Sequence, residues 1–359
     1  MIYRVIGIMS GSSLDGLDIA FVELTAQGGK WSVEIKEAAC YPYSEAWRSS
    51  LLNATSLPAK EYLLLHTAYG HYLGQQVNTF IQEKKLQYQV ALIASHGHTT
   101  FHLPAQKTTA QLGDGAAIAA VTGLPVVTDL RALDVAFGGQ GAPIVPLGEK
   151  LLLPTYDYFL NIGGIANVSI TTDTHVAYDV CPANKVLNML ANDAGKEYDK
   201  DGELAAAGAA NMPLLNTLNN LDYYHQPYPK SLANDFGMGI VYPLIKEAQL
   251  SIPDALRTFT EHIAYQVFRS LQNTPPGGKL LVTGGGAFNL SLVNSIKTQL
   301  HTVGKEVIVP DTLLVNYKEA MIMALLGVLR WREENTTLQT VTGAIRNSVG
   351  GALWMGQEG

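Results

Sequence analysis

Residues 7–18 read GIMSGSSLDGLD and stand between two apolar runs, MIYRVI before them and IAFVEL after them. Runs of β-branched and other apolar residues bounded by glycine are typical of strands, so two strands joined by a glycine-rich turn are predicted here. Glycine leaves the backbone N–H groups of a turn accessible to a bound oxygen, because no side chain blocks them. The stretch therefore predicts the first hairpin of an α/β protein, with a loop that could bind phosphate.

The polar side chains of this loop suit phosphate and a metal ion. The glycines that leave room for backbone donors are Gly7, Gly11 and Gly16. The serines that add hydroxyl donors are Ser10, Ser12 and Ser13. Asp15 and Asp18 could hold a divalent cation against the phosphate charge. The loop has no lysine and is not a P-loop, and a plain polar hairpin turn capped by its own Ser and Asp side chains stays open as the alternative.

Two further glycine turns follow apolar strands in the second half of the chain. They are NIGGIAN at residues 161–167 and GGGAFN at residues 284–289. Strand-like runs alternate with helix-like segments throughout, and both halves open with a strand, a glycine turn and a returning strand. We therefore expect two α/β lobes, residues 1–128 with 340–359 and residues 129–339, with loops that face a shared cleft. The boundary is placed near TDLRALDVAFGGQGAPIVP, where glycine and proline accumulate after an apolar strand and suggest a linker.

Composition narrows the function classes. The formal net charge of −7 supplies no broad positive field, so no nucleic-acid or membrane partner is expected. Two cysteines are too few for a disulfide framework, and the N-terminus lacks the pattern of a secretory signal. Charges, glycines or prolines interrupt every apolar run, so no membrane span of about 20 residues is expected. The prediction is a soluble, cytoplasmic protein.

A histidine-rich segment, SHGHTTFHLP at residues 95–104, offers a second kind of chemistry. His96 and His98 have the H-x-H spacing that suits zinc, and His102 follows. The segment has no acidic residue and neither cysteine is near, so the ligand set for a metal hydrolase is incomplete. A polar loop that faces a substrate is favoured, and the metal site stays as an alternative.

One carboxylate stands out in the sequence VAYDVCPAN. Asp179 follows a short apolar run and could act as a general base toward a water or hydroxyl. It could equally cap the helix predicted for NKVLNMLAN. Arg131 and Asp134 in DLRALD, and Glu319 in YKEAMIMALLG, share this ambiguity between a cleft residue and a solvated charge.

Taken together, these segments resemble the anhydro-N-acetylmuramic acid kinases of the actin, sugar kinase and Hsp70 superfamily. The resemblance covers nearly the whole chain, in the family's order, through GIMSGSSLDGLD, ASHGHTTFHLP, QLGDGAAIAAVTGLPVVTDLRALDVAFGGQGAPIVP, FLNIGGIANVSI, YDKDGELAA, PPGGKLLVTGGGAFN and TVTGAIRNSVGGALW. It implies an α/β fold of two actin-like (ribonuclease H-like) lobes, with ATP in the cleft between them and the sugar deeper. It also hints at a homodimer.

The resemblance implies an unusual reaction. These kinases open the 1,6-anhydro ring of anhydro-N-acetylmuramic acid with water and phosphorylate its oxygen 6 from ATP, which gives N-acetylmuramic acid 6-phosphate and ADP in peptidoglycan recycling. ATP and Mg²⁺ are the implied cofactors, and an anhydrosugar is the implied partner. Asp179 in YDVCPAN matches the position of the family's general base in a motif like FDTGPGN.

The same resemblance implies the other site residues. Contacts to ATP or its phosphates are expected from Gly11, Ser12, Ser13, Asp15, Gly16, Asp18, Gly163, Gly164, Asn167, Gly284, Gly285, Gly286 and Asn289. Mg²⁺ is expected at Asp15 and Asp18. Contacts to the sugar are expected from His96, Arg131 and Glu319, with Arg131 available to a lactyl carboxylate.

The chain departs from the family pattern at two places. Val180-Cys181 and Ala183 replace Thr-Gly and Gly around Asp179, and His98 replaces the usual Gln of SHGQT. These changes leave two alternatives open beside the kinase. One is a nucleotide-gated, actin-like binding or chaperone-like protein, and the other is a divergent sugar kinase with another substrate.

Overall fold

A computed structural model describes residues 1–11, 14–172, 176–228, 230–232 and 234–356. The chain divides into two compact units: Met1–Pro154 with Tyr317–Gly359, and Thr155–Asn316. Within the described residues the strands are β1 (Ile2–Ser10), β2 (Gly16–Gln27), β3 (Lys30–Pro42), β4 (Leu92–Ser95), β5 (His98–Leu103), β6 (Thr108–Leu112), β7 (Val126–Thr128), β8 (Tyr158–Ile162), β9 (Ile165–Ile170), β10 (Val176–Pro182), β11 (Lys279–Thr283), β12 (Glu306–Ile308) and β13 (Ala352–Trp354).

The helices surround these strands in both units. They are α1 (Glu45–Leu52), α2 (Ala59–Glu83), α3 (Gly115–Thr122), α4 (Ala132–Ala136), α5 (Val145–Leu152), α6 (Asn184–Asn192), α7 (Glu203–Ala207), α8 (Met212–Asn219), α9 (Asn234–Phe236), α10 (Tyr242–Glu247), α11 (Ile252–Leu271), α12 (Leu290–His301), α13 (Thr312–Trp331) and α14 (Gln339–Thr342). Short 3-10 turns and one π-helical turn, Gly237–Val241, lie between them.

The two large sheets share the order of five strands. From the third strand of each unit, the first sheet has the order β3-β2-β1-β4-β7-β13 and the second has β10-β9-β8-β11-β12, so β13 is an additional edge strand of the first sheet. In each, the first three strands form an antiparallel meander, and the first strand then pairs in parallel with the next strand of the sheet. This repetition confirms the predicted α/β fold of two actin-like (ribonuclease H-like) lobes.

Alternating apolar residues build the core of the first unit. Ile6 and Ile8 of β1 point to one side of the sheet with Leu17 and Ile19 of β2, and all four are buried. Helix α2 covers them with a stripe of buried side chains three or four residues apart: Tyr69, Leu73, Val77 and Phe80. Helix α2 is therefore an amphipathic helix whose apolar side packs on the sheet.

The predicted lobe boundary near residue 128 falls inside the first unit. The buried carboxylate of Asp134 accepts hydrogen bonds from the N–H of Gly141 and the hydroxyl of Thr342, both at 2.8 Å. These bonds tie the segment after β7 to the C-terminal part of the same unit. The glycine and proline residues that suggested a linker form a turn within the unit. The chain divides after Pro154 and before Tyr317, whereas the predicted lobes divide after residue 128 and before residue 340.

Helix α13 is the one described helix long and apolar enough, by composition, to cross a membrane. An 18-residue window within it has a mean hydropathy of 1.4, and 67% of that window is buried inside the protein. Lys318, Glu319 and Arg330 lie within this helix, and charges of this kind are the reason that the sequence predicts no membrane span. Burial of this extent is typical of a core helix.

Candidate active site

The first glycine loop joins β1 to β2, as predicted, with Ser10 paired to Leu17. A Cβ on Gly7 would clash with the carbonyl oxygen of Ala320 on α13, and one on Gly16 would come within 2.6 Å of Cys40 Sγ. Packing therefore accounts for both glycines. Ser12 and Ser13 lie outside the described residues, so their predicted phosphate contacts, like that of Gly11, remain predictions.

A buried polar network stands behind this loop. The hydroxyl of Ser10 lies 3.1 Å from Nδ1 of His98 and accepts a hydrogen bond from the hydroxyl of Tyr43 at 2.8 Å. The Tyr43 and Tyr69 hydroxyls lie 2.6 Å apart. Burial lowers the pKa of His98 to about 4, so the ring is neutral at neutral pH. The network fixes the last residue of β1, where the loop begins.

The two loop aspartates differ in their surroundings. Asp15 is exposed, whereas Asp18 is half-buried opposite Cys40 in the β2–β3 pair. Burial raises the pKa of Asp18 to about 6, a hydrogen bond from Cys40 opposes this, and the charges of Glu319 and Asp15 raise it further. A bound cation would offset the negative charge of Asp18, which is half-buried near two other carboxylates. Carboxylates that leave room for water and phosphate are also the ligands Mg²⁺ takes, so these residues fit the ion.

Three predicted sugar-facing residues lie in the first unit. Nε of Arg131 donates to Nε2 of His96 at 2.8 Å, and its Nη1 donates to the carbonyl of Gly141 at 2.8 Å. Burial, and to a smaller extent the charge of Arg131, lowers the pKa of His96 to about 3, so the ring is neutral at neutral pH. Its Nδ1–H donates to the Gly97 carbonyl at 2.9 Å. Burial lowers the pKa of Arg131 to about 10, while Glu319 raises it. The site thus keeps a guanidinium cation beside a neutral histidine.

These contacts bear on the zinc alternative. Nε2 of His96 accepts from Arg131, and Nδ1 of His98 faces Ser10, so the two rings have different partners. Among the described residues, no group of three or more His, Cys, Asp or Glu side chains could hold a metal ion. The histidines therefore act as hydrogen-bonding groups in this fold.

In the second unit the turn at Gly163 and Gly164 joins β8 to β9. Its carbonyls accept hydrogen bonds from backbone N–H groups at the beginning of α6. The N–H of Ala183 donates to the Gly164 carbonyl at 2.8 Å, and the N–H of Asn184 donates to the Gly163 carbonyl at 3.0 Å. An added Cβ on either glycine would meet no described atom closer than 3.6 Å beyond its chain neighbours. Neither packing nor a left-handed φ requires glycine here, so the bare face of the turn is open to a ligand.

The third glycine turn follows β11. Gly284 has φ +80° and a Cβ there would clash with Oδ1 of Asn161, while a Cβ on Gly286 would clash with the side chain of Ile162. These two glycines let the turn pack against the end of β8. Gly285 is open, with Asn184 Nδ2 at 3.6 Å from an added Cβ. Asn289 caps α12 by accepting from the N–H of Leu292 at 3.0 Å, and its nucleotide contact remains a prediction.

Strand register brings the predicted polar residues of this unit into a row. Asn161 of β8 stands opposite Asn167 of β9, which stands opposite Asp179 of β10. Residues directly opposite in antiparallel strands share a face of the sheet and lie about 5 Å apart at Cβ. Asn167 and Asp179 are therefore cross-strand neighbours, and Asn167 belongs to the β8–β9 hairpin that carries the open Gly163–Gly164 turn.

Asp179 is held by a segment that sequence analysis did not single out. Its Oδ2 accepts from the N–H of Leu232 at 2.9 Å, its carbonyl accepts from the hydroxyl of Tyr223, and its N–H donates to the carbonyl of Lys230 at 3.4 Å. Burial raises the pKa of Asp179, and the Leu232 N–H opposes this. The residue at the N-cap of α6 is Ala183, without a side-chain cap, so Asp179 does not cap that helix.

Comparison with known proteins assigns a family to this arrangement. A family model described as anhydro-N-acetylmuramic acid kinase matches residues 3–356. The chain belongs to the anhydro-N-acetylmuramic acid kinase family. It is 32% identical to the anhydro-N-acetylmuramic acid kinase of Sulfurovum sp. (strain NBC37-1) over 98% of this chain and 99% of that protein. It is 33% identical to that of Vibrio vulnificus (strain CMCP6), with 97% of each chain covered.

Solved structures show a looser likeness. The ADPNP-bound activator of the 2-hydroxyisocaproyl-CoA dehydratase from Clostridium difficile aligns with 92% of this chain, and 96% of its own length is covered, at 13% identity and a TM-score of 0.46. Component A of the Acidaminococcus fermentans (R)-2-hydroxyglutaryl-CoA dehydratase aligns with 90%, with 97% of its own length covered, at 14% identity and a TM-score of 0.48. Because both TM-scores are low, neither likeness bears on function.

The departures from the anhydro-N-acetylmuramic acid kinase pattern around Asp179 are absorbed by packing. Val180 is 2% exposed, Cys181 and Ala183 are fully buried, and all three belong to the core of the second unit. Cys181 has its pKa raised by burial, which keeps it a neutral thiol. The substituted side chains therefore fill the interior beside Asp179.

Proposed function

We propose that this protein is an ATP-dependent kinase of peptidoglycan recycling. It opens the 1,6-anhydro ring of anhydro-N-acetylmuramic acid with water and transfers a phosphoryl group to oxygen 6, giving N-acetylmuramic acid 6-phosphate and ADP. Membership of the family supports this proposal. The structural observation that carries it is the placement of Asp179, a half-buried carboxylate of β10 directly opposite Asn167 of β9, the strand that follows the open Gly163–Gly164 turn.

Asp179 is the proposed general base. A carboxylate whose pKa is raised accepts a proton more readily at neutral pH than an ordinary aspartate does. Leu232 engages Oδ2, whereas Oδ1 accepts no hydrogen bond from the described residues. Oδ1 is therefore the atom that would take the proton of the attacking water. As the water oxygen bonds to the anomeric carbon, the bond between that carbon and oxygen 6 breaks. Oxygen 6 then takes the γ-phosphoryl group of ATP, and ADP leaves.

The proposed phosphate ligands are backbone donors and the two loop aspartates. At the open turn the Gly163 N–H donates to the Ile165 carbonyl at 3.2 Å, so the Gly164 N–H is the donor proposed there. Gly11 begins the loop of the first unit. When bound, Mg²⁺ would neutralise charge on the transferring phosphoryl group, and Asp15 and Asp18 would hold it. The remaining predicted ATP contacts, at Ser12, Ser13, Gly16, Asn167, Gly284, Gly285, Gly286 and Asn289, belong to the same proposal.

The sugar is proposed to contact His96, Arg131 and Glu319. Arg131 supplies a cation for a lactyl carboxylate, and its hydrogen bonds to His96 and to the Gly141 carbonyl fix its direction. A cytoplasmic location, expected from the composition and the N-terminal sequence, and a homodimer, implied by the resemblance, are also part of this proposal.

The experiment is a product assay with two substrates. Purified protein, ATP and Mg²⁺ are incubated either with anhydro-N-acetylmuramic acid or with N-acetylmuramic acid, whose ring is already open, and ADP and sugar phosphate are quantified. We expect equal amounts of ADP and N-acetylmuramic acid 6-phosphate from the anhydrosugar. ATP hydrolysis that no anhydrosugar alters would instead support the nucleotide-gated binding protein, and preference for another sugar would support a divergent kinase.

A further inference from the structure

The second unit contains a cavity that none of the proposed catalytic residues lines. Its volume is about 430 Å³, which lies within the range of small-molecule sites. Ile170 and Thr172, at the end of β9, and Val176, at the start of β10, form one side. The Gly163–Gly164 turn lies at the other end of β9, roughly 17 Å away at the usual rise per residue of a strand. The cavity is thus separate from the proposed phosphate turn.

The charge of this cavity is opposite to that of the chain. Two cations, Lys230 and Arg269, line it, and none of its described lining residues is acidic. The whole chain has a formal net charge of −7. Burial lowers the pKa of Lys230, and the nearby charge of Arg269 lowers it further. Nζ of Lys230 donates to the Tyr223 carbonyl at 3.2 Å and lies 4.5 Å from the centre of the Tyr223 ring. These are neutral partners, so an anionic group bound between the two cations would offset their mutual repulsion.

One wall of the cavity is aromatic and flat. The rings of Tyr178 and Tyr228 are stacked, with centroids 5.8 Å apart and planes 7° from parallel. Tyr228 is 59% exposed, so much of this apolar area is open. Amide and hydroxyl groups complete the lining: Gln226, Gln266, Asn273, Thr172, Ser270 and Thr274. A flat apolar wall beside many hydrogen-bonding groups suits a hydroxylated ring.

The floor of the cavity is fixed by buried hydrogen bonds. Fully buried His262 accepts at Nε2 from the hydroxyl of Tyr224 at 2.9 Å and donates from Nδ1 to Oδ1 of Asn219 at 2.7 Å. The amide of Gln266 donates to the same Asn219 oxygen at 2.9 Å. Burial lowers the pKa of His262 to about 3, so this ring is neutral. Tyr224 and Gln266 are thereby held in place before any ligand arrives.

We propose that this cavity binds a small anionic sugar, whose carboxylate or phosphate lies between Lys230 and Arg269 and whose ring packs on the Tyr178–Tyr228 wall. Tyr178 and Asp179 are successive residues of β10 and point to opposite faces of the strand. The ligand would therefore not touch Asp179. It would contact Lys230, whose carbonyl accepts from the Asp179 N–H, so the binding site adjoins the segment that holds this carboxylate.

The test is calorimetric titration of the full-length protein without ATP, so it does not depend on kinase activity. The probes are N-acetylmuramic acid 6-phosphate, N-acetylmuramic acid, N-acetylglucosamine 6-phosphate, neutral N-acetylglucosamine and inorganic phosphate. We expect the charged sugars to bind at least about tenfold more tightly than the neutral one, since hydrogen bonds to charged groups are the stronger ones. Comparison of the second and third probes tells whether the carboxylate or the phosphate is the recognised anion.

Variants locate the binding. Arg269→Gln removes one cation from the end of α11 that lines the cavity, and we expect it to weaken binding of the charged sugars about tenfold or more. Lys230→Gln should act in the same direction. The matched control is Arg257→Gln, at the other end of α11, where the guanidinium pairs with Glu261 at 2.8 Å outside the cavity. It should leave binding unchanged, and thermal melts check that each variant folds.

Two results would overturn the proposal. One is the absence of measurable binding of every charged sugar to the unaltered protein. The other is binding that Arg269→Gln and Arg257→Gln leave equally intact, because the sugar would then occupy a different site, such as the proposed active site. Either result leaves the proposed kinase reaction standing, and failure of the kinase assay would leave this cavity test unaffected.

Discussion

The backbone N–H of Leu232 donates a hydrogen bond to Oδ2 of Asp179 across 2.9 Å. This bond stabilises the ionised carboxylate, while burial favours the neutral form and raises its pKa. The balance suits a base, which must be ionised before the reaction and accept a proton during it. The bond also fixes one oxygen of the carboxylate, so that the other has a defined direction.

Replacement of Asp179 by asparagine should abolish most turnover with little loss of stability. The asparagine oxygen can still accept from Leu232, but an amide does not take up a proton, and loss of a general base costs about 10² to 10⁴ in rate. ADP release in the presence of the anhydrosugar and thermal melting measure the two effects. Asp222→Asn, on an exposed aspartate of the same unit, is the control. Turnover near that of the control would remove Asp179 from the role of base.

Asp18 should make the stability of the protein depend on pH. Its pKa in the folded protein is about 6, above the ordinary value of 3.8, so the folded state holds the proton more tightly than the unfolded state. The stabilisation is present below about pH 4 and is lost as the pH rises through about 6, by at most about 3 kcal/mol.

The variant Asp18→Asn cannot ionise at this position and should avoid that loss. Its free energy of unfolding relative to the unaltered protein should therefore increase between about pH 4.5 and about pH 7.5, as measured by urea unfolding. The same variant should raise the Mg²⁺ concentration needed for half-maximal turnover. A stability difference that is flat across this pH range would show that Asp18 does not titrate as proposed.

Substitution by alanine should affect ATP binding at one glycine, Gly163, and the stability of the fold at another, Gly7. An added Cβ on Gly163 would meet only the Ile165 carbonyl among described atoms, at 3.6 Å, so Gly163→Ala should fold normally but weaken ATP binding at the turn. At Gly7 the Cβ would clash with the Ala320 carbonyl, so Gly7→Ala should lose about 1 to 3 kcal/mol of stability or more. Melting temperature and nucleotide titration distinguish the two. Unchanged ATP affinity in Gly163→Ala would contradict a phosphate role for this turn.

His98 should act as a hydrogen-bonding group and not as an acid or base. Its ring is neutral and faces Ser10, so His98→Gln, which introduces the family's usual residue, should keep near-normal stability and turnover. His98→Ala leaves Ser10 without this partner and should cost about 1 to 3 kcal/mol of stability. The pH profile of turnover should be the same in His98→Gln as in the unaltered protein. A profile that changes would show that the ring titrates during the reaction.

The sequence predicted the fold well because strands and glycine turns are local signals. The apolar runs on either side of GIMSGSSLDGLD pair with each other, and so do those on either side of the glycine turn of NIGGIAN. Each pair forms the first hairpin of its sheet. The lobe boundary was placed too early because Gly and Pro mark a turn whether or not a domain ends there. Only the tertiary bonds of Asp134 show to which unit that segment belongs.

The site was harder to predict because its contacts join distant residues. Ser10 and His98 are 88 positions apart, and Asp179 and Leu232 are 53 apart. No periodicity links such pairs. Gly7 and Gly286 resemble ligand glycines in sequence, yet the structure requires them for close packing. The helix-cap alternative for Asp179 is excluded only by the structure, in which Ala183 is the N-cap residue of α6.

The most direct test of the proposed reaction is to run it in ¹⁸O-labelled water with ATP, Mg²⁺ and anhydro-N-acetylmuramic acid. If water attacks the anomeric carbon while oxygen 6 receives the phosphoryl group, mass spectrometry will find the label on the anomeric hydroxyl and phosphate on an unlabelled oxygen 6. Once the anhydro ring is open, the anomeric oxygen of the product also exchanges slowly with the labelled water. The product must therefore be sampled within the first turnovers, before this exchange adds label. A phosphorylated product without label at that position would contradict the coupled mechanism.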